Sequence, residues 1–284
     1  MLWWGVSGTK ASRIGTVIGD RFRLEELIGR GAMAEVYRAL DLHTQAFVAL
    51  KILRHQHVTD SVSLARFARE AEVQARLRHR NVAALLATGV TSDKHEPYLA
   101  VELLRGRSLR NVLKTEGRVS PRRAASYAWQ ALQGLSAVHE AGVLHRDLKP
   151  ANIMLEPSPG PIERVVLIDF GFATFEGSAK LTLQGTVVGS LQYIAPERLR
   201  AEEPDARADL YSIGVILFEL LTGKPVFSAP DDFELIDMVV NAPPPQIDNA
   251  LDPVLQRALA KDPADRYRDA AEMAMALEEL AGSL

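Results

Sequence analysis

Several polar side chains with catalytic potential lie within eight consecutive residues, His-Arg-Asp-Leu-Lys-Pro-Ala-Asn at positions 145–152. Asp147 is a candidate general base, and Lys149 is a candidate cation for holding an anion. Asn152, together with Asp169 seventeen residues later, offers the hard oxygen ligands that a small divalent cation prefers. These are the parts needed to move a phosphoryl group, because that catalysis consists largely of positioning and charge neutralisation.

The length and composition are those of an ordinary globular protein. With 284 residues and 47% hydrophobic residues, the chain can bury a sizeable core in one large domain or two lobes. A net charge of −3 gives no electrostatic support for a nucleic-acid partner. Cysteine is absent, which excludes disulfides and cysteine–zinc sites and allows a reducing cytosol. No run approaches the ~18 apolar residues of a membrane-spanning helix.

The first nineteen residues show no clear periodicity and are predicted to form a tail. Trp3 and Trp4 would dock on the fold or lie disordered, with a membrane contact as the alternative. The apolar run at residues 2–6 is too short for the core of a signal peptide, and the first positive charges come after it.

Two glycines lie in a predicted hairpin between strands at residues 24–28 and 36–39. Gly29 and Gly31 permit backbone conformations and close approaches that other residues do not. The pair is consistent with a plain hairpin turn. It is also consistent with a flap whose backbone N–H groups cover a polyphosphate.

A lysine and a glutamate stand at positions where apolar residues are expected. Lys51 shares one face of the predicted strand 48–53 with Ala and Leu, although lysine is rarely buried without a partner. It either snorkels at an edge or is a paired cation that contacts phosphates. Glu70 lies on the apolar stripe of a predicted helix over residues 63–79, unless it marks the stripe's wet edge. A carboxylate on a buried stripe requires a cation, and Lys51 is the obvious candidate.

Taken together, these motifs resemble those of the protein kinase family. Residues 145–152 are similar to the kinase catalytic loop, and the Asp-Phe-Gly at 169–171 is similar to the kinase metal-binding motif. Residues 29–36 resemble the Gly-rich loop, with Ala34 replacing the third glycine, a change expected to stiffen the flap without abolishing its function. Residues 48–51 resemble the Val-Ala-Ile-Lys strand, and residues 189–197 resemble the substrate-docking loop and its Ala-Pro-Glu end. Lys149 is the residue seen in serine/threonine kinases, where tyrosine kinases carry different residues. The chain resembles the bacterial, eukaryotic-like serine/threonine kinases.

The resemblance implies an α+β, bilobal protein-kinase fold. A tail at residues 1–19 would precede a kinase domain at 20–281, and residues 282–284 would end the chain. The domain would comprise a small, β-rich N-lobe with one main helix at 20–101, a hinge at 102–107 and a larger, mostly helical C-lobe at 108–281. A strand at residues 98–103 would lead into the hinge.

The resemblance also implies roles for the candidate residues. Lys51, held by Glu70, would orient the α- and β-phosphates of ATP bound between the lobes. Asp147 would accept the proton of the attacking hydroxyl, and Lys149 would neutralise the γ-phosphoryl group. Asn152 and Asp169 would bind Mg²⁺, for which Mn²⁺ is a candidate substitute. Adenine would bond to the backbone at Glu102 and Leu104, behind a short gatekeeper at Val101. The residues assigned to the nucleotide are Ile28, Gly29, Gly31, Val36, Ala49, Lys51, Val101, Glu102, Leu104, Leu155 and Asp169.

Further residues would organise the site. Arg146 would receive a phosphate from the segment at 172–193, where Thr182 and Thr186 are the main candidate phosphosites and solvated hydroxyls are the alternative reading. Ser190 would bond near Asp147 and Lys149. Glu197 would form a buried pair with Arg266. Asp209 would accept backbone N–H groups from the catalytic loop near His145.

The implied activity is ATP-dependent phosphorylation of serine and threonine hydroxyls of proteins, with autophosphorylation of the activation loop through transient self-association. A cytoplasmic location is expected, with no nucleic-acid partner. A non-catalytic pseudokinase and a small-molecule phosphotransferase are the alternatives. Loss of Lys51, Asp147 or Asp169 would favour the first alternative, and none of the three is lost. The second would lack a loop like 189–197, so the presence of this loop argues for a protein substrate.

Overall fold

A computed structural model of the chain describes residues 13–160, 163–169 and 191–281. The chain divides into two compact units between Arg105 and Gly106, within the predicted hinge at 102–107. Most strands belong to the first unit and most helices to the second.

The first unit is built on a six-stranded antiparallel sheet with the strand order β1-β2-β3-β4-β6-β5. Its strands are β1 (Val17–Ile18), β2 (Phe22–Arg30), β3 (Ala34–Asp41), β4 (Phe47–Leu53), β5 (Leu85–Val90) and β6 (Pro97–Glu102). The strands predicted at 24–28, 36–39, 48–53 and 98–103 correspond to β2, β3, β4 and β6. β5 was not predicted from the sequence.

Residues 13–19, predicted as part of a tail, pack on this sheet. β1 pairs with β2, and Ile18 is buried in the apolar cluster on one face of the sheet. Arg13 forms an ion pair with the buried Glu96. Trp3 and Trp4 lie outside the described residues. The first unit therefore begins before the predicted boundary at residue 20.

The main helix of the first unit, α1, spans Ser61–Arg76. It begins two residues before the predicted helix because the Asp60 side chain accepts the backbone N–H groups of Val62 and Ser63. Its apolar stripe buries Phe67 and Val73. The same stripe carries Glu70 inward, since residues three and four apart share one helix face.

The second unit combines seven α-helices with a small sheet in its described part. The helices are α2 (Leu109–Glu116), α3 (Pro121–Glu140), α4 (Pro196–Leu199), α5 (Ala206–Thr222), α6 (Asp232–Asn241), α7 (Asp252–Ala258) and α8 (Ala270–Ala281). The three-stranded sheet joins β7 (Arg107–Ser108), β8 (Ile153–Glu156) and β9 (Arg164–Leu167).

Local sequence signals explain the bounds of the helices that support the site. α3 is capped by the Ser120 hydroxyl and starts with Pro121, and Gly142 follows its end with a φ of 73°. α5 is buried nearly all round and is capped by Asp205. Among the described residues, no helix combines the length and the apolar character needed to cross a lipid bilayer.

Candidate active site

The Asp147 carboxylate is held by two neighbouring side chains of the second unit. Lys149 Nζ donates to both Asp147 oxygens at 2.9 and 2.7 Å. Asn152 Nδ2 donates to Asp147 Oδ2 at 2.9 Å and to the Asp147 backbone carbonyl, also at 2.9 Å. The Asp147 side chain is 39% exposed, so a solute can reach its carboxylate. An oriented, accessible carboxylate with a cation beside it can accept a proton while negative charge develops nearby.

The β8–β9 hairpin brings Asn152 and the residues before Asp169 together. Ile153 pairs with Leu167, and the Ile168 N–H donates to the Asn152 carbonyl at 3.0 Å. Asn152 is 3% exposed, and its amide nitrogen is bonded to Asp147. Because the nitrogen is engaged, the side-chain oxygen is the Asn152 atom that could ligate a cation. With the Asp169 carboxylate, it provides the hard oxygen donors that suit Mg²⁺.

Asp209 accepts hydrogen bonds from the backbone of the loop at residues 145–152. Its carboxylate accepts the N–H groups of His145 at 2.8 Å and Arg146 at 2.9 Å, as the sequence led us to expect. His139 Nε2 lies 2.9 Å from the same carboxylate. Burial alone would raise the pKa of Asp209, but the bond from His139 and the backbone N–H groups hold it below its ordinary value. The carboxylate therefore stays ionised inside the protein.

His145 is fully buried beside this carboxylate. Burial lowers the pKa of His145, and the nearby Asp209 carboxylate opposes that shift. Burial thus favours the neutral form of the His145 imidazole.

In the first unit, Lys51 and Glu70 form an ion pair. Lys51 Nζ lies 2.6 Å from Glu70 Oε1, and the two side chains are 19% and 10% exposed. β4 supplies the lysine and the inward stripe of α1 supplies the glutamate. The pair fixes the position of the ammonium group, because a buried carboxylate is costly without its cation.

A backbone hydrogen bond closes the turn between β2 and β3. The Gly31 N–H donates to the Ala34 carbonyl at 2.8 Å, and Gly29 pairs with Val36 in the ladder. Ala34, at the position of the third glycine in the resemblance, is 7% exposed and packs with Leu53, Phe67 and Leu99. The extra methyl group therefore ties the end of the turn to the core of the first unit.

The other residues assigned to the nucleotide lie on the same elements or in the second unit. Ile28 and Gly29 are on β2, Val36 is on β3, Ala49 is on β4, and Val101 and Glu102 end β6. The Glu102 N–H donates to the Ala84 carbonyl at 3.0 Å. Leu104 is buried in the first unit, and Leu155 is buried on β8 of the second unit.

A buried ion pair anchors α4. Arg266 donates to the two Glu197 carboxylate oxygens at 2.8 and 2.7 Å. Glu197 is 3% exposed at its side chain and Arg266 is 0% exposed. The pairing predicted from the sequence is therefore present.

Several residues predicted to act in the site fall outside the described ranges. Thr182, Thr186 and Ser190 lie outside the described residues, as do positions 170 and 171 of the Asp-Phe-Gly motif.

Two contacts near the loop at residues 145–152 were not predicted from the sequence. His139 contacts Asp209, and Arg198 donates to the carbonyl of Arg146. Neither contact has a local sequence signal, since the partners are 70 and 52 residues apart.

Comparison with known proteins identifies the family. The family model described as "Protein kinase domain" matches residues 22–277. This chain belongs to the protein kinase family. The expected protein-kinase fold is confirmed by similarity to the kinase domain of PknI from Mycobacterium tuberculosis, with a TM-score of 0.72 and 27% identity, covering 97% of this chain and 100% of that one.

Curated bacterial kinases are similar along most of the chain. A protein of Corynebacterium efficiens named probable serine/threonine-protein kinase CE0033 is 39% identical over 279 residues, which are 93% of this chain and 42% of that protein. The serine/threonine-protein kinase pkn3 of Myxococcus xanthus is 39% identical over 89% of this chain and 48% of its own length. The kinase chain described here thus spans less than half the length of these two relatives.

Proposed function

We propose that this protein is an ATP-dependent serine/threonine protein kinase that transfers the γ-phosphoryl group to hydroxyl groups of polypeptides. The observation that carries the proposal is the Asp147 carboxylate, oriented by Lys149 and Asn152 and still exposed. Serine/threonine-protein kinase names among relatives near 39% identity support the class of acceptor.

Each residue of the second unit has a distinct task in this proposal. Asp147 accepts the proton of the serine or threonine hydroxyl as that oxygen attacks the phosphorus atom. Lys149 neutralises negative charge on the transferred group. Both roles depend on fixed donors and acceptors, because electrostatic stabilisation is effective when the groups need no reorganisation during the reaction.

Asn152 and Asp169 would hold Mg²⁺, since the amide oxygen and the carboxylate are the ligand types this ion prefers. When bound, the metal ion supplies charge neutralisation at the phosphate oxygens. The protein's own contribution is to hold the two ligands still. Asn152 is buried and hydrogen-bonded through its amide nitrogen, and the β8–β9 hairpin fixes the backbone on either side.

In the first unit, Lys51 would bind the α- and β-phosphates while paired with Glu70. The Glu102 N–H is already bonded to Ala84, so adenine would have to use the Glu102 carbonyl and the Leu104 N–H. The requirement for ATP makes the cytoplasm the compartment in which we expect this domain to act. Autophosphorylation in trans would require only transient self-association.

Incubation with ATP and Mg²⁺, followed by phosphosite mapping by mass spectrometry, tests the proposal. The control is Asp169→Asn, which removes one ligand charge at a residue with a φ of 52°, where asparagine is well tolerated. We expect phosphate on Thr182 or Thr186 in the natural chain and none in the variant. If the natural chain neither binds the nucleotide nor transfers phosphate to any polypeptide, the proposal fails.

A further inference from the structure

The residue directly before the candidate base has an unusual backbone conformation. Arg146 has a φ of 64°, in the left-handed region that residues with a side chain rarely adopt. Such a conformation persists only where the surrounding structure holds it. Because Asp147 follows immediately, the direction of its side chain depends on this turn.

Two side chains of opposite charge hold the peptide groups of Arg146. Its N–H donates to Asp209 Oδ1 at 2.9 Å, and its carbonyl accepts a bond from Arg198 Nη1 at 2.6 Å. Hydrogen bonds to ionised groups are shorter and stronger than neutral ones. The turn is therefore clamped at both of its backbone polar groups, from α5 on one side and from α4 on the other.

The support behind Arg198 is rigid. It lies on α4, directly after Glu197, which is locked to Arg266 by two bonds. Burial lowers the pKa of Arg198, and the nearby Asp209 carboxylate opposes that shift. A guanidinium group nevertheless stays protonated in proteins, so the charge on the donor is permanent.

We propose that Arg198 is a positioning residue for phosphoryl transfer: by holding the carbonyl of Arg146, it fixes the left-handed turn that aims Asp147. The inference rests on the proposed kinase function. It also makes the geometry of the turn before Asp147 depend on α4, which begins within the Ala-Pro-Glu sequence at residues 195–197. Loss of the bond would let the turn relax and displace the base without touching the nucleotide contacts of the first unit.

Kinetics of Arg198→Met and Arg198→Lys test this role, with Arg200→Met as the matched control. Arg200 is exposed and two residues away, and its side chain donates to the carbonyl of Val240, far from Asp147 in the chain. We expect Arg198→Met to lower kcat by about 10- to 100-fold, the scale of a small misplacement of a catalytic group. The KM for ATP should change less than about twofold. Arg198→Lys should recover part of kcat, since an ammonium group can still donate to the carbonyl.

Amide hydrogen exchange gives a readout that does not depend on activity. The Asp147 N–H donates to the His145 carbonyl at 2.9 Å across the turn. We expect this amide, and that of Arg146, to exchange at least about tenfold faster in Arg198→Met, with Arg198→Lys intermediate and Arg200→Met unchanged.

The outcomes separate this inference from the function on which it rests. If the natural chain is an active kinase and Arg198→Met keeps its kcat and its amide protection, Arg198 has no positioning role and the inference is overturned. If kcat falls while amide protection is kept in both Arg198 variants, the turn is held without Arg198 and the inference is also overturned. If the natural chain transfers no phosphate, the proposed function fails, and the exchange rates alone decide whether Arg198 holds the turn.

Discussion

Replacing Arg266 by methionine tests how much of the second unit's stability depends on its buried ion pair. All three nitrogens of the guanidinium group are engaged. Two reach Glu197 at 2.8 and 2.7 Å, and the side chain also donates to three backbone carbonyls, those of Ala260, Arg207 and Lys261, at 2.8 to 3.2 Å. The Arg266 side chain is 0% exposed, so water can take the place of its donors only if the surrounding side chains rearrange.

The expected loss of stability follows from Glu197, the partner that the substitution leaves without its cation. Glu197 is 3% exposed, so in Arg266→Met its carboxylate stays buried without a cation, which costs about 3–5 kcal/mol. Methionine fills part of the volume, so loss of packing adds little. We expect the free energy of unfolding to fall by about 4 kcal/mol, a large share of the ~5–15 kcal/mol of a typical domain.

Chemical denaturation of the full chain, followed by far-UV circular dichroism, measures this change. Arg268→Met is the matched control, because Arg268 is 82% exposed, lies two residues away and pairs with Asp269 at the surface. The free energy of unfolding of Arg268→Met should stay close to that of the natural chain, because the substitution removes only a surface contact. A second variant, Glu197→Gln combined with Arg266→Met, removes the buried charge as well and should recover part of the loss. A cost below about 1 kcal/mol for Arg266→Met, or a double variant as unstable as the single one, would refute the reasoning.

Three further predictions concern charged groups. Asp147→Asn should lower the rate of phosphoryl transfer by roughly 10²–10⁴ if general-base chemistry contributes, and an unchanged rate in a peptide-phosphorylation assay would remove that role. Lys51→Met should abolish autophosphorylation while the circular dichroism spectrum stays folded; a variant that still labels itself would mean that another cation holds the phosphates. Burial lowers the pKa of Lys261 to about 8, below the ~10.4 of an unfolded chain. Between these values the unfolded state binds more protons, so stability should rise with pH. The free energy of unfolding, measured by denaturation from pH 7.5 to 10, should rise less in Lys261→Met than in the natural chain. An equal rise in both proteins would contradict this prediction.

Prediction from the sequence was most successful where a signal is local or where an apolar period continues along the chain. The helix that became α1 and the strand that carries Lys51 both have such signals. Bounds differed by a few residues because they depend on caps: α1 starts after Asp60, whose carboxylate accepts the first free N–H groups.

The elements that were not predicted lack a strong local signal. β5 has the sequence Leu-Leu-Ala-Thr-Gly-Val, whose alternation is weak, and it becomes a strand because β6 offers a pairing edge. β1 has two residues and exists only through its pairing with β2. α6 lies in a polar, proline-bearing stretch, and it buries Val239 in the core of the second unit.

The residue types and spacing at positions 145–152, and the lysine and glutamate on apolar faces, were sufficient to predict the family and the contact between Lys51 and Glu70. Residue types and spacing carry this information because catalysis requires particular functional groups, and the sequence shows directly which groups the chain contains. Which atoms meet was decided by the tertiary structure. Two contacts that the sequence did not predict, His139 with the Asp209 carboxylate and Arg198 with the Arg146 carbonyl, join positions 70 and 52 residues apart. A left-handed turn at Arg146 has no local sequence signal either, because its free energy is lowered by charged side chains that only the folded chain brings there.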